Sequence, residues 1–177
     1  MRILALTLAC LLPTAALAIG DEDVQPPKPT ETTQKCEGAQ VWDPVKAACV
    51  NPQGASLDND TLYRAVRELA YAGRPVDALA VLATMTEGET DRVLTYRGFA
   101  LRKAGDWEGG RAMYDRALVQ NADNLLARSY LGQGLVERGD MPGAIDQLLE
   151  IRARGGSGTW AEGALAQAIA TGKTLNY

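Results

Sequence analysis

Residues 96–110 read YRGFALRKAGDWEGG, and residues 130–144 read YLGQGLVERGDMPGA. The two stretches are offset by 34 residues and share the same residue at six positions. The matching pairs are Tyr96 and Tyr130, Gly98 and Gly132, Leu101 and Leu135, Gly105 and Gly139, Asp106 and Asp140, and Gly109 and Gly143. A repeat of this length is typical of a helical pair that stacks on copies of itself to bury its apolar face. The sequence therefore predicts an all-α stack of helical hairpins.

The helical pattern extends on both sides of this repeat. Apolar residues recur at helical spacing, and glycines separate the segments, which predicts three units at about 57–90, 91–124 and 125–156. After the third unit, Thr159 and Glu162 have the spacing of a capping box, so a helix is expected to start there and run to about Thr171. We interpret 159–177 as a capping helix and tail that cover the last apolar face.

Small residues occur where two helices of a unit would touch. The first helices carry Gly98 and Gly132, and the second helices carry Ala78, Gly110 and Ala144. Together with the Gly-Asp turns, these positions resemble the tetratricopeptide repeat. The resemblance implies three helical hairpins with a concave surface that binds extended or helical peptides. The chain departs from the family pattern in its first turn, which is Gly-Arg, and in lacking the closing proline of each unit.

The sides of the first helices that lie opposite their buried faces are expected to line the concave surface. The predicted groove residues are Tyr63, Arg67, Arg92, Thr95, Phe99, Arg102, Lys103, Ser129 and Gln133. This surface is basic and aromatic, and Arg beside an aromatic ring suits acidic side chains or a terminal carboxylate. The alternative is that Arg102 and Lys103 are solvated charges and that Phe99 packs on the next helix.

The first eighteen residues have the pattern of a secretory signal peptide. A basic residue precedes the apolar run 3–12, and Ala16 and Ala18 form a small-x-small cleavage site. A membrane anchor would need about 20 apolar residues, and Pro13 interrupts the run too early for that. We expect cleavage after Ala18, no transmembrane segment in the mature chain, and a periplasmic or secreted location.

The segment 19–35 is rich in proline, threonine and acidic residues, which predicts a disordered linker. It is followed by Cys36 and Cys49, the two cysteines that remain after cleavage, and such a pair in an exported chain predicts a disulfide. The bridge would close a hairpin over 36–50 and place Trp42 on a segment with little core beneath it. The segment 36–49 resembles part of a peritrophin-type chitin-binding motif, which implies that this ring could contact a glycan.

Composition argues against several other functions. The net charge of −4 and the pI near 4.9 oppose nucleic-acid binding, which needs a basic field. The chain has no His, so the common catalytic triads are excluded, and no phosphate-binding glycine motif with its lysine is present. We therefore expect no catalytic residue, no cofactor and no metal site.

Two functions follow as expectations. The first is a scaffold or assembly factor of the bacterial cell envelope that binds a protein or peptide in the groove, whose basic character favours an acidic ligand. The second is a cell-wall or glycan-binding protein that uses Trp42, with the repeats acting as a spacer or as a surface for homo-oligomers.

Overall fold

The computed structural model describes residues 25–174. The predicted signal peptide with its cleavage site, residues 19–24 of the predicted linker and residues 175–177 of the predicted tail lie outside this part of the chain. The helices are α1 Glu31–Lys35, α2 Asn59–Tyr71, α3 Pro75–Leu82, α4 Asp91–Lys103, α5 Trp107–Gln120, α6 Leu125–Glu137, α7 Met141–Ala153 and α8 Trp160–Thr171. The strands β1 Val41–Asp43 and β2 Ala48–Val50 precede a short 3-10 helix, Pro52–Gly54.

The helices from α2 onward pack in consecutive pairs. Helix α2 packs on α3, α4 on α5, and α6 on α7, while α8 packs on both α6 and α7. The first helices also contact one another, α2 with α4, α4 with α6, and α6 with α8. The prediction of a mainly helical fold is confirmed, and the one described sheet has two strands.

The turn inside each pair has the same backbone geometry three times. Gly73, Gly105 and Gly139 have φ of 74°, 96° and 78°, a left-handed conformation that glycine adopts without steric cost. In each turn, the amide of the next residue donates to the carbonyl four residues before the glycine, at 2.9 Å. In the later two turns that next residue is an Asp, and Asp106 and Asp140 cap the following helix.

Glycine also allows two helices to approach closely at the second pair. A Cβ atom added to Gly98 would lie 2.7 Å from the ring of Tyr114 and 2.9 Å from the carbonyl oxygen of Gly110. These distances are shorter than ordinary van der Waals contacts, so α4 and α5 pack backbone to backbone at this point. The predicted role of Gly98 and Gly110 in close packing is therefore confirmed.

The segment before the sheet differs from the predicted linker over its last residues. Residues 31–35 form α1, and Thr30 caps it through a bond from the Thr32 amide. The carboxylate of Glu68 on α2 also accepts from the amides of Thr30 and Thr33, at 2.6 and 3.1 Å. Composition alone suggested disorder, but this distant carboxylate satisfies the free amides of a helix too short to be stable alone.

The hairpin over 36–50 forms as predicted. Strands β1 and β2 pair antiparallel, with Trp42 opposite Cys49. Cys36 and Cys49 are joined by a disulfide with a Cα–Cα distance of 5.5 Å, which confirms the predicted bridge. Val41 is buried in the main core, so the hairpin packs against the helical stack.

Candidate functional site

The nine predicted groove residues lie on α2, α4 and α6, and the structure buries seven of them. The buried residues are Tyr63, Arg67, Thr95, Phe99, Arg102, Ser129 and Gln133. Arg92 and Lys103 keep partial exposure, with 32% and 19% of their side chains accessible. The expected open groove is therefore closed over most of its length by side chains that pack among themselves.

Six aromatic residues fill the space between the first helices. This aromatic cluster consists of Tyr63, Tyr71, Tyr96, Phe99, Tyr130 and Trp160. Phe99 lies closest to its neighbour, with 4.5 Å between its ring centroid and that of Tyr130. Because the cluster draws side chains from α2, α4, α6 and α8, it joins all four helices through aromatic contacts.

A buried hydrogen-bond chain runs through the cluster. Arg67 donates from Nε to the hydroxyl of Tyr96 at 3.2 Å, and this hydroxyl lies 3.3 Å from that of Tyr130. The Tyr130 hydroxyl also bonds to the hydroxyl of Tyr71. Burial raises the pKa of Tyr96 and raises that of Tyr130 well above its ordinary value. The phenols therefore stay neutral and serve as hydrogen-bonding groups inside the helical stack.

Arg92 lies at the N-terminal end of α4, where it joins the first two pairs. Its guanidinium donates to Glu87 from Nε at 2.8 Å and pairs with Asp60 at 2.9 Å. It also lies over the ring of Tyr63, 4.7 Å from the centroid. The bond from Arg92 is the main cause of the lowered pKa of Glu87. The charge of Arg92 is thus balanced within the chain.

Lys103 and Arg102 lie at the other end of α4. Arg102 is almost completely buried, and its Nη1 lies 2.7 Å from Oε2 of Glu137 on α6. Lys103 lies 3.7 Å from the same carboxylate and 5.7 Å from the centroid of Phe99. Burial lowers the pKa of Lys103, and the nearby charge of Arg102 lowers it further. The ion pair of Arg102 links α4 to α6, while Lys103 keeps access to solvent.

The remaining predicted groove residues form bonds within the helical stack. The hydroxyl of Thr95 donates to the backbone carbonyl of Asp91. It also accepts from the side-chain amide of Asn124, the residue before α6, at 3.0 Å. Gln133 donates to the hydroxyl of Ser129 one turn earlier, at 3.2 Å. These polar side chains satisfy one another or the adjacent backbone, as buried polar groups require.

The N-terminal segment runs against α2 and uses a predicted groove residue. Arg67 donates from Nη2 to the carbonyl oxygen of Gln25 at 2.6 Å. Farther along, Arg74 donates to the carbonyl oxygens of Cys36 and Gly38. We call residues 25–38 the N-terminal strap. Two arginines and Glu68 bind its backbone, so helix α2 already holds a segment of this chain through main-chain contacts.

Trp42 is half-buried on the hairpin. The Nζ of Lys35 lies 4.8 Å from the centroid of its ring, in cation–π geometry. At the tip of the hairpin, Asp43 accepts from the amides of Val45 and Lys46, and Val45 is 93% exposed. The predicted contact residue Trp42 therefore lies next to a fixed turn that presents an apolar side chain to solvent.

Sequence reasoning did not select several residues that organise this face. Tyr71 could have been found, because it follows Tyr63 and Arg67 at steps of four along α2. Glu68 and Glu137 had no comparable signal, because an acidic residue on a helix is usually solvated. Their partners lie 34 or more residues away in the chain, so only the tertiary structure pairs them.

An open cleft of about 320 Å³ lies between the 3-10 helix, the start of α2 and the end of α3. Residues 25–174 contain no group of three or more His, Cys, Asp or Glu side chains placed to hold a metal ion. Over the same range, no helix combines the length and apolar character needed to cross a bilayer.

The fold and the candidate site describe a protein of stacked helical hairpins. Aromatic side chains close the face between its first helices, and a disulfide pins the strap at its N-terminal end. No protein-family model, no curated protein and no solved structure matches the chain.

Proposed function

We propose that this protein is an exported interaction module with a tetratricopeptide-like array, and that it binds an extended segment of a protein partner along its first helices. One observation carries the proposal. The predicted groove residue Arg67 already binds the main-chain carbonyl of Gln25, which belongs to a non-helical segment of the same chain. A surface that holds one extended segment through its backbone has the chemistry to hold another.

The repeat geometry supports the tetratricopeptide-like part of the proposal. Three helical pairs share a left-handed glycine turn, and the last two pairs share a capping Asp. Gly98 and Gly110 bring two helices into backbone contact, as the small residues of that family do. A stacked array of this kind presents an extended surface to a partner rather than an enclosed pocket.

Charge and exposure indicate where a partner would reach this face. Arg92 and Lys103 are the two predicted groove residues with partial exposure, and they lie at opposite ends of α4. The two residues are 11 positions apart in the chain, which is about 16 Å along a helix. About five residues of an extended peptide span that distance. We propose that an acidic residue of the partner approaches the Lys103 end, because Glu87 and Asp60 already balance the charge of Arg92 at the other end.

The experiment places a photo-crosslinking amino acid at one position at a time in a protein expressed in bacteria. Positions 92 and 103 probe the proposed face, and position 111 on α5 is the matched control, because the Arg111 side chain is 53% exposed. We expect one envelope protein to crosslink from 92 and 103 and not from 111. Equal crosslinking from all three positions would contradict the proposal.

Crosslinking is a better test than substitution of the buried groove residues. Phe99 belongs to the aromatic cluster, and Arg102 forms a buried ion pair, so changing either would disturb the fold as well as the surface. A crosslinker at the partly exposed ends of α4 leaves Phe99 and the buried ion pair of Arg102 in place. Binding is then tested separately from stability.

A second candidate function is glycan binding by the hairpin. Trp42 is partly exposed on a covalently pinned segment, and aromatic rings of this kind stack on sugars. Sedimentation of the protein with purified cell-wall polymer tests this function, with Trp42→Ala compared against Val45→Ala. Loss of co-sedimentation in Trp42→Ala alone would favour the glycan function. Equal co-sedimentation of both variants and the parent protein would show that Trp42 does not bind the polymer.

We further propose an envelope location, which is supported by the disulfide and by the pattern of residues 1–18. Osmotic-shock fractionation and N-terminal sequencing test it. A first residue of Ile19 in the shock fluid is the expected result. Recovery of uncleaved protein from the cytosol would refute export.

A further inference from the structure

Helix α8 leaves open a face that is buried on the preceding first helices. Positions 163, 167 and 170 of α8 are exposed. Counting back 34 residues gives the equivalent positions of α6, which are buried, namely Ser129, Gln133 and Val136. Counting back another 34 gives the equivalent positions of α4, which are also buried, namely Thr95, Phe99 and Arg102.

The next first helix buries this face in each earlier case. On α4, Phe99 packs on the ring of Tyr130, and Arg102 pairs with Glu137, both residues of α6. Helix α6 packs on α8, and at Gly132, next to Gln133 of this face, an added Cβ atom would lie 2.6 Å from the side chain of Leu165 on α8. The open face of α8 therefore continues an interface already made twice, and it has the shape to receive another helix.

The open face also lacks charge. Its residues are Gly163, Ala166, Gln167, Ala170 and Thr171. Terminal helices of repeat arrays usually present a polar outer side that keeps them soluble. Two copies of a chain with net charge −4 repel each other over most of their surface. Contact through this face avoids that repulsion locally, because it brings no charged side chains together. Its small side chains also allow two helix axes to approach closely.

The other end of the helical stack is covered. Glu68 lies five residues before the turn glycine Gly73. Ala100 and Gly134 lie at the same distance before their own turn glycines, so the three positions are equivalent in the three helical pairs. Gly134 faces Trp107 of the preceding pair, so this position points toward the previous unit. On α2, the N-terminal strap covers that position through its bonds to Glu68. Head-to-tail stacking of chains is blocked there.

We infer that a second copy of this chain covers the open face, with α8 packed against α8 about a two-fold axis. One covered end and one open end favour a closed dimer over an open filament. The inference does not depend on the proposed partner of α4. Helix α8 has 12 residues and is about 18 Å long, so the contact is smaller than a permanent interface. The dimer should be reversible and depend on concentration.

Sedimentation equilibrium of the purified protein up to about 1 mM, the weak end of specific association, tests the inference. Gln167 lies midway between Gly163 and Thr171, so a two-fold axis would bring the two copies of position 167 together. Gln167→Glu should weaken dimerisation about tenfold through like-charge repulsion. Val119→Glu on α5 adds the same charge at a side chain that is 87% exposed, and it should leave the dimerisation constant unchanged.

A mixing experiment separates this contact from any other. Gln167→Glu and Gln167→Lys should each weaken association alone, while an equimolar mixture should recover the parent constant, because opposite charges then meet across the axis. A head-to-tail contact would give no such recovery. Far-UV circular dichroism of each variant checks that its helix content equals that of the parent. A parent protein that stays monomeric, a Gln167→Glu dimer as tight as the parent, or a mixture without recovery would each overturn the inference.

Discussion

Replacement of Gly98 by Ala tests how the second helical pair packs. The added Cβ would lie 2.9 Å from the carbonyl oxygen of Gly110, whereas ordinary contact begins at 3.4 Å. The same Cβ would lie 2.7 Å from the ring of Tyr114, which is fully buried and has no room to move, so the helices would have to separate by about 0.5 to 0.7 Å. Overpacking of this kind costs about 1 to 3 kcal/mol.

An opposing effect has to be included. Ala is favoured over Gly in a helix by up to about 1 kcal/mol, so the net loss for Gly98→Ala should be about 0 to 2 kcal/mol. Gly163→Ala is the matched control, because a Cβ on this helical glycine would meet no atom within 4 Å. It should stabilise the protein by about 0.5 to 1 kcal/mol. Because the preference for Ala is common to both variants, they should differ by the overpacking cost alone, about 1 to 3 kcal/mol.

The assay is urea unfolding followed by circular dichroism, with the free energy of unfolding extrapolated to water. Protein at about 1 μM keeps association through α8 out of the comparison. The slope of the unfolding free energy against urea concentration should be unchanged, which would show that unfolding exposes the same amount of surface in each variant. If Gly98→Ala proved as stable as Gly163→Ala, the backbone contact between α4 and α5 would be refuted.

Three further predictions concern the strap, the disulfide and the buried phenols. Glu68→Gln should speed amide exchange over residues 30–35, measured by mass spectrometry, because the charged acceptor of their amides is lost; unchanged exchange would contradict the role of Glu68. Replacing Cys36 and Cys49 by Ser should lower stability in urea by about 3 kcal/mol, and no change would exclude the bridge as a stabilising link. Burial raises the pKa of Tyr114 to about 12 from its ordinary 10.0, so the folded state holds this proton more tightly. The contribution of Tyr114 to stability should be constant below pH 10 and be lost as the pH rises toward 12, so stability should fall less steeply over this range in Tyr114→Phe.

The N-terminal end shows why tertiary contacts override composition. Residues 19–35 contain few apolar side chains, which predicted a linker without structure. Thr30 and Thr33 nevertheless bond to the carboxylate of Glu68, and the nearby disulfide limits how far the strap can move. A carboxylate 35 residues away leaves no trace in a local pattern.

The predicted groove shows the same limit at the candidate site. Helical periodicity predicted Tyr63, Arg67 and Phe99 on an open surface opposite the buried faces of the first helices. The structure instead buries all three side chains, and Phe99 packs on Tyr130 of α6. Their burial depends on how closely the helices approach and on the contacts of Trp160 with Tyr71 and Tyr130, and residues far apart in the chain decide both.

The sequence by itself determined the helices from α2 onward, their turns and the disulfide, because each depends on residues close together in the chain. Gly105 and Asp106 set a turn and a cap, the apolar spacing set the helix faces, and the two cysteines beyond the predicted signal peptide left one possible pairing. Only the tertiary structure decided which faces are open. Exposure depends on what packs on each helix, so Phe99 is covered by α6, whereas Gln167, at the equivalent position of α8, meets solvent.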